Sequence, residues 1–144
     1  MSLKTTLLLL LLLLLAVLAR SSAASSRHGS SMPGSPYDIS ADSRSLRTVL
    51  LRAAYCFNNR SNDAFLFRTS AVHRAQSQVV KGIRYIVDVD ISRTVCRKRD
   101  KDNDPSRCSF QPEGRLHQTF LCHFEMWTIP WTNETKTEAF TCKP

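Results

Sequence analysis

The sequence predicts an α+β domain in which an antiparallel β-sheet wraps around one long α-helix. Two observations predict it: a single amphipathic helical segment comes first, and several strand-like segments follow it without intervening helices. Such an order favours an antiparallel sheet with the helix on one face. A third observation is five cysteines in a chain that begins with an export-like leader, which predicts two disulfide bonds.

Residues 1–24 predict a secretory signal peptide. Lys4 supplies a positive charge, leucines fill positions 7–15, and small residues follow as far as Ala23 and Ala24. The apolar run is shorter than the roughly 20 residues that a membrane-spanning helix needs. We therefore expect a secreted protein without a membrane partner, with a retained signal anchor as the alternative. Delivery to endosomes and lysosomes is a further expectation.

The net positive charge of the chain does not by itself identify a binding partner. Loss of Lys4 and Arg20 with the leader lowers the formal charge from +8 to +6, which permits contact with anionic surfaces without specifying one. The basic run 97–102 is interrupted by acidic residues and contains no aromatic ones. We therefore expect a solvated loop there and no nucleic-acid partner. As separate expectations, the protein binds no metal and no cofactor.

Residues 25–36 are rich in Ser, Pro and Gly and predict a mobile segment, whereas 37–144 predict one domain. From about Asp42 the apolar residues follow helical spacing, and turn-like residues 58–63 end the helix. The helical stripe consists of Leu46, Val49, Leu50, Ala53, Ala54 and Phe57.

Four strands are predicted at 64–80, from 83, at 116–129 and at 136–142. The second has the clearest pattern, because apolar and mostly polar residues alternate from Ile83 to Ile91. Gly82 can adopt the positive φ that a tight hairpin needs. The polar residues 97–115 predict a long loop.

Sequential pairing of Cys96 with Cys108, and of Cys122 with Cys142, would close loops of modest length. In the loop-entropy model each closure contributes on the order of 3 kcal/mol. A zinc site formed by Cys108, His117, Cys122 and His123 is the alternative, although its spacing matches no strong template. Cys56 is left without a partner.

Two predicted hairpin tips carry apolar residues. Leaving a large apolar side chain in solvent forgoes burial worth roughly 1.5–3 kcal/mol, so such tips predict contact with a partner. Three alternative interpretations need no partner: Gly82 is only a turn glycine, Val79 and Val80 are half-buried strand residues, and Trp131 caps the core. The first tip consists of Gln78, Val79, Val80, Lys81 and Gly82, and the second contains Pro130 and Trp131.

These tips, together with Gly34 and the two carboxyl-half disulfides, resemble the type 2 cystatins, which are secreted inhibitors of papain-like cysteine proteases. Pro33-Gly34, Phe57-Asn58-Asn59 and Phe65-Leu66-Phe67 are similar to the leukocystatin (cystatin F) branch. The stretch Ala75–Gln78 is instead similar to cystatin M.

The resemblance implies a reversible, non-covalent inhibitor and not an enzyme. Three segments, which we call the wedge, would enter the active-site cleft: the chain around Gly34, the tip Gln78–Gly82 and the tip Pro130–Trp131. Met32 and Pro33 would occupy non-primed subsites, and Gly34 would turn the backbone away before cleavage. Gly34 alternatively is an ordinary glycine of a mobile segment.

A second implied site is Asn62, placed where many type 2 cystatins carry an asparagine that inhibits legumain; an ordinary turn asparagine is the alternative. Asn59 and Asn133 begin glycosylation sequons. We expect a glycan at either position to weaken the neighbouring contact.

Cys56 departs from the family pattern. It is either a buried small hydrophobe in a monomer or the link of a disulfide-bonded homodimer that keeps the secreted form latent. A catalytic pairing of Cys56 with His73 or His117 lacks a nucleophile signature. Two other functions compete with inhibition: a non-inhibitory binding module with the same fold, and a basic antimicrobial protein.

Overall fold

A computed structural model of the chain describes residues 3–18, 34–100 and 104–144. The chain divides into two units, Met1–Ser30 and Ser31–Pro144. The predicted cleavage position at Ala23 and Ala24, the segment 25–33 and the middle of the basic run lie outside the described residues.

The first unit contains helix α1 (Leu3–Leu18), formed by the leucine run. No helix in the described parts of the chain is long and apolar enough to cross a membrane.

The second unit contains helix α2 (Arg44–Arg60), which packs on one face of the sheet. Ser43 begins the helix: its hydroxyl accepts a hydrogen bond from the N–H of Leu46 at 3.2 Å. The helix extends into the predicted turn 58–63 as far as Arg60, and Asn58 is buried with its side chain hydrogen-bonded to the backbone of Phe67. The prediction that residues 58–60 form a turn is therefore wrong.

The sheet has five antiparallel strands whose spatial order follows the chain. This architecture confirms the predicted α+β fold. The strand β1 was not predicted, since two residues are too few to show an alternating pattern. The strands are β1 (Tyr37–Asp38), β2 (Phe65–Val79), β3 (Ile83–Arg97), β4 (Thr119–Ile129) and β5 (Glu134–Lys143).

Strand β2 curves around the helix because its pairing with β3 is interrupted at three places. Such bulges bend a strand and increase its twist. The core lies between α2 and the helix-facing side of β2, β3 and β4. Its fully buried residues include Leu46, Val49, Phe67, Val87, Val89, Ile91 and Phe124.

Both predicted disulfides are present. Cys96–Cys108 closes the loop after β3, which holds a short 3-10 helix at Pro105–Arg107, and Cys122–Cys142 joins β4 to β5. The zinc alternative is therefore wrong, because Cys108 and Cys122 are bonded to different cysteines.

Candidate functional site

The first tip is a tight turn between β2 and β3. Val79 is 60% exposed and Val80 is 38% exposed, and Lys81 is exposed as well. Lys81 and Gly82 both have positive φ, of 40° and 120°. The turn therefore directs apolar side chains into solvent, which argues against the alternative of half-buried valines.

Gly82 is more than a turn residue, because β4 passes directly behind it. A Cβ atom at this position would lie 2.5 Å from the carbonyl oxygen of Thr128 and 3.2 Å from Nε1 of Trp127. Trp127 Nε1 donates a hydrogen bond to the carbonyl oxygen of Val80 at 3.1 Å. The indole thus fixes the tip against β4. Sequence reasoning missed Trp127, whose only signal was its place on the strand before Trp131.

The second tip lies at the same end of the sheet, since Ile83 pairs with Thr128 across β3 and β4. Pro130 is exposed and Trp131 is 70% exposed. The indole of Trp131 therefore faces solvent and does not cap the core. The turn is closed by the N–H of Thr132, which donates to the carbonyl oxygen of Ile129 at 3.3 Å.

Gly34 lies beside the first tip. Its carbonyl oxygen accepts a hydrogen bond from Nε2 of Gln78 at 2.7 Å, and Tyr37 pairs with Ser77, which carries the chain antiparallel to β2 toward Val79. Gly34 has a φ of 85°, where an L side chain is strained. The structure thus brings all three wedge segments together, while Met32 and Pro33 lie outside the described residues.

The face of the sheet opposite the helix carries a chain of charged groups, which we call the outer-face network. Arg84 forms ion pairs with Glu125 and, at 3.2 Å, with Glu138. His123 bridges two carboxylates: Nδ1 lies 2.6 Å from Asp88 and Nε2 lies 3.0 Å from Glu125. The network was not predicted, because its members meet only through the strand register.

These contacts shift the proton affinities of the network. The hydrogen bond that His123 donates to Asp88 raises the pKa of His123, and the one that Arg84 donates to Glu125 raises the pKa of Arg84. Burial alone would raise the pKa of both carboxyls, but the hydrogen bonds and charges of His123 and the arginines outweigh it. The pKa values of Asp88 and Glu125 are therefore lowered.

At the opposite end of β2, the exposed Asn62 sits on a loop held by polar contacts. Asn58 donates to the carbonyl oxygen of Phe67 at 2.9 Å and accepts from its N–H at 2.8 Å. The ammonium of Lys98 donates to the carbonyl oxygens of Asn58, at 2.7 Å, and of Ser61. The loop is thus fixed on the side preceding Asn62.

The residue after Asn62 is fixed as well. Asp63 accepts a hydrogen bond from the N–H of Phe65 at 2.9 Å and forms an ion pair with Arg93. Asn62 is consequently a solvent-facing side chain between two anchored residues.

Comparison with known proteins decides the family. A model described as the cystatin domain matches residues 34–131. The chain belongs to the cystatin family. Cystatin-F of Mus musculus is 36% identical over 114 residues, which are 79% of this chain and 78% of the relative. Cystatin-C of Mus musculus is 36% identical over 117 residues, covering 81% and 82% of the two chains.

Among solved structures, the crystal structure of dimeric human cystatin F superimposes with a TM-score of 0.71 at 31% identity. The match covers 85% of this chain and 96% of the other. The resemblance to cystatins, and to cystatin F within them, is confirmed.

Within the described parts of this cystatin chain, Cys56 is bonded to no other cysteine, and it is half-buried. It packs against the core, and its Sγ lies 3.8 Å from Oγ1 of Thr137 on β5. His73 instead pairs with Asp90 at 2.9 Å, and His117 lies near Glu113. The structure thus brings neither histidine to the thiol.

Both sequon asparagines are exposed in this cystatin. Asn59 lies in the last turn of α2, and Asn133 lies in the turn that carries Trp131, with a φ of 56°. Each is close in sequence to a predicted contact residue.

Proposed function

We propose that this cystatin is a secreted, reversible inhibitor of papain-like cysteine proteases and that the wedge is its contact surface. One observation carries the proposal: three separate segments lie side by side at one end of the sheet and expose Val79, Val80 and Trp131. Membership of the cystatin family supports inhibition rather than catalysis.

The wedge suits a concave, apolar active-site cleft. Val79 and Val80 would lie beside the catalytic cysteine, where each buried valine contributes roughly 1.5–3 kcal/mol. Trp131 would provide a rigid aromatic anchor on the primed side. The bonds from Trp127 to Val80 and from Gln78 to Gly34 hold the segments in advance, which lowers the entropy cost of binding.

Titration of papain with the purified secreted protein tests the proposal, using Val79→Asp and the matched control Val95→Asp. Val95 is 47% exposed and lies toward the other end of β3. A carboxylate forced into an apolar cleft should weaken inhibition by roughly 100-fold at position 79 and hardly at 95. Equal inhibition by both variants would contradict the wedge. Absence of inhibition by the unmodified protein would favour a non-inhibitory binding module.

We also propose that Asn62 inhibits legumain, which cleaves after asparagine. The anchored residues on both sides of Asn62 favour this, because a rigid loop can present one side chain without becoming a good substrate. Asn62→Ala should abolish legumain inhibition and leave papain inhibition unchanged, whereas Asn59→Ala in unglycosylated protein should affect neither. Persistent legumain inhibition by Asn62→Ala would exclude the site.

We further propose export through cleavage of residues 1–24, and glycosylation at Asn59 and Asn133. A glycan on Asn133 stands two residues from Trp131, so its enzymatic removal should strengthen papain inhibition. Equal inhibition before and after deglycosylation would refute this effect.

For the oligomeric state we propose a monomer in which Cys56 is a packing residue. Its contact with the core and with Thr137 supports this. The alternative is a latent dimer linked through Cys56. A band of twice the monomer mass on a non-reducing gel, with papain inhibition appearing only after reduction, would establish the dimer instead.

A further inference from the structure

A groove lies between helix α2 and strand β2 and shares no lining residue with the wedge or the Asn62 loop. Its volume is about 450 Å³, within the range of about 300–1,000 Å³ that small-molecule sites occupy. Its floor is apolar and consists of Leu50, Leu51, Ala54, Ala71 and Val72. Leu50 and Leu51 are only half-buried, so apolar surface of the helix remains uncovered by the sheet.

The polar groups of the groove are basic or hydroxylic. Arg47 and Arg68 line it, and none of the lining residues that the structure describes is acidic. Arg47 is exposed and takes part in none of the ion pairs among the residues that the structure describes. The positive charges therefore lie at the groove without compensation from its own lining.

Arg68 is held in place and takes part in none of the ion pairs within the described parts of the chain. Its guanidinium stacks on the ring of Phe110, 4.1 Å from the centroid. The stacking keeps the positive charge of Arg68 beside the groove, where Arg47 also lies.

We propose that the α2–β2 groove binds a long-chain fatty acid. The carboxylate lies between Arg47 and Arg68, because a guanidinium binds a carboxylate through paired charge-assisted hydrogen bonds. The acyl chain covers the leucine and alanine side chains of the floor.

Calorimetric titration with oleate below its micelle concentration tests the proposal, using protein secreted from cells that express the full chain. Arg47→Glu should weaken binding by at least about tenfold because it reverses a charge at the carboxylate. Arg52→Glu is the matched control: it makes the same charge change on an exposed residue of α2 that does not line the groove. Ala71→Trp should also abolish binding, because the indole fills the groove.

Ligand variants separate the carboxylate from the chain. Octanoate should bind more than about tenfold more weakly than oleate, since each buried methylene adds affinity, and methyl oleate should bind as weakly as oleate binds Arg47→Glu. Unchanged papain inhibition shows that each variant is folded. Absence of saturable oleate binding overturns the proposal, and so does equal binding by all variants. Binding to vesicles of anionic phospholipid but not to free oleate also overturns it, in favour of a membrane-surface contact.

Discussion

The two ends of strand β2 are built by opposite means. At the hairpin end, exposed apolar side chains stand on a turn that a hydrogen bond from Trp127 holds, and a hydrogen bond from Gln78 ties the Gly34 segment beside it. At the helix end, a single polar side chain, Asn62, stands between residues fixed by Asn58, Lys98 and Asp63.

The difference matches what each end is proposed to recognise. Apolar burial is not directional, so the wedge needs shape and exposed area more than exact hydrogen-bond geometry. Recognition of one asparagine side chain depends on hydrogen bonds, which weaken steeply when their geometry is lost. We therefore expect that a substitution at one end of β2 weakens the inhibitory activity of that end and leaves the other activity unchanged. The following variants test this, in order of decreasing expected effect.

Replacing Gly82 with alanine should damage the hairpin end most. The new Cβ would meet the backbone oxygen of Thr128 at 2.5 Å, and the residue would keep a φ of 120° that L residues rarely adopt. We expect the free energy of unfolding to fall by about 3 kcal/mol, measured by urea denaturation. Papain inhibition should fall as well, because the tip must move away from β4, whereas legumain inhibition should persist.

Gly114→Ala is the matched control for Gly82→Ala. Gly114 has a φ of 146°, yet nothing lies within 4 Å of the position of its Cβ. It should therefore cost only the conformational strain, about 1 kcal/mol, and leave both inhibitory activities intact. Equal losses of stability in the two variants would mean that the approach of β4 to Gly82 is unimportant.

Replacing Asn58 with alanine should damage the helix end. It leaves the buried N–H and carbonyl of Phe67 without their side-chain partners, which should lower the free energy of unfolding by about 2 kcal/mol. Legumain inhibition should weaken while papain inhibition stays. Asn59→Ala in unglycosylated protein is the control, since Asn59 is the exposed neighbour on the same helix. Equal weakening of both activities by Asn58→Ala would refute the independence of the two ends.

Parts of the molecule that depend on local pattern could be predicted from the sequence, and parts that depend on register could not. The apolar spacing of α2 and the alternation from Ile83 to Ile91 predicted their elements, because burial on one face imposes that period. Gly82 and Pro130 predicted the two tips through their backbone preferences.

The contacts that hold the wedge and the Asn62 loop in place join segments that are far apart in the sequence. The indole of Trp127 reaches Val80 only because β3 and β4 pair in one register. Asn58 was predicted to lie in a turn because asparagine is common in turns. Its burial depends on where β2 passes the helix, which the local sequence pattern does not show. The pairing of His123 with Asp88 likewise follows from their places opposite each other in the sheet.

The outer-face network runs from the middle of the sheet to the hairpin end, where Arg84 donates a hydrogen bond to Gln78 at 3.4 Å. Its histidine, His123, lies away from both ends, and replacing it should give the smallest effect. The pKa of His123 is raised, so its stabilising contribution is complete below its ordinary value of 6.5 and is lost as the pH rises through the folded value. The lowered pKa values of Asp88 and Glu125 make their contributions complete above 3.8 and 4.5, with loss as the pH falls through the folded values. The two conditions overlap between pH 4.5 and 6.5.

His123→Gln should therefore lower the free energy of unfolding by about 0.5 kcal/mol at acidic pH within that window, and by less in alkaline buffer. Urea denaturation at both pH values measures the difference. In an Asp88→Asn background, the pH dependence of the His123→Gln effect should shrink, because the main partner of the imidazole is gone. A larger loss in alkaline than in acidic buffer would show that the folded protein favours the neutral imidazole. Since neither end of β2 contains His123, both inhibitory activities should survive the substitution.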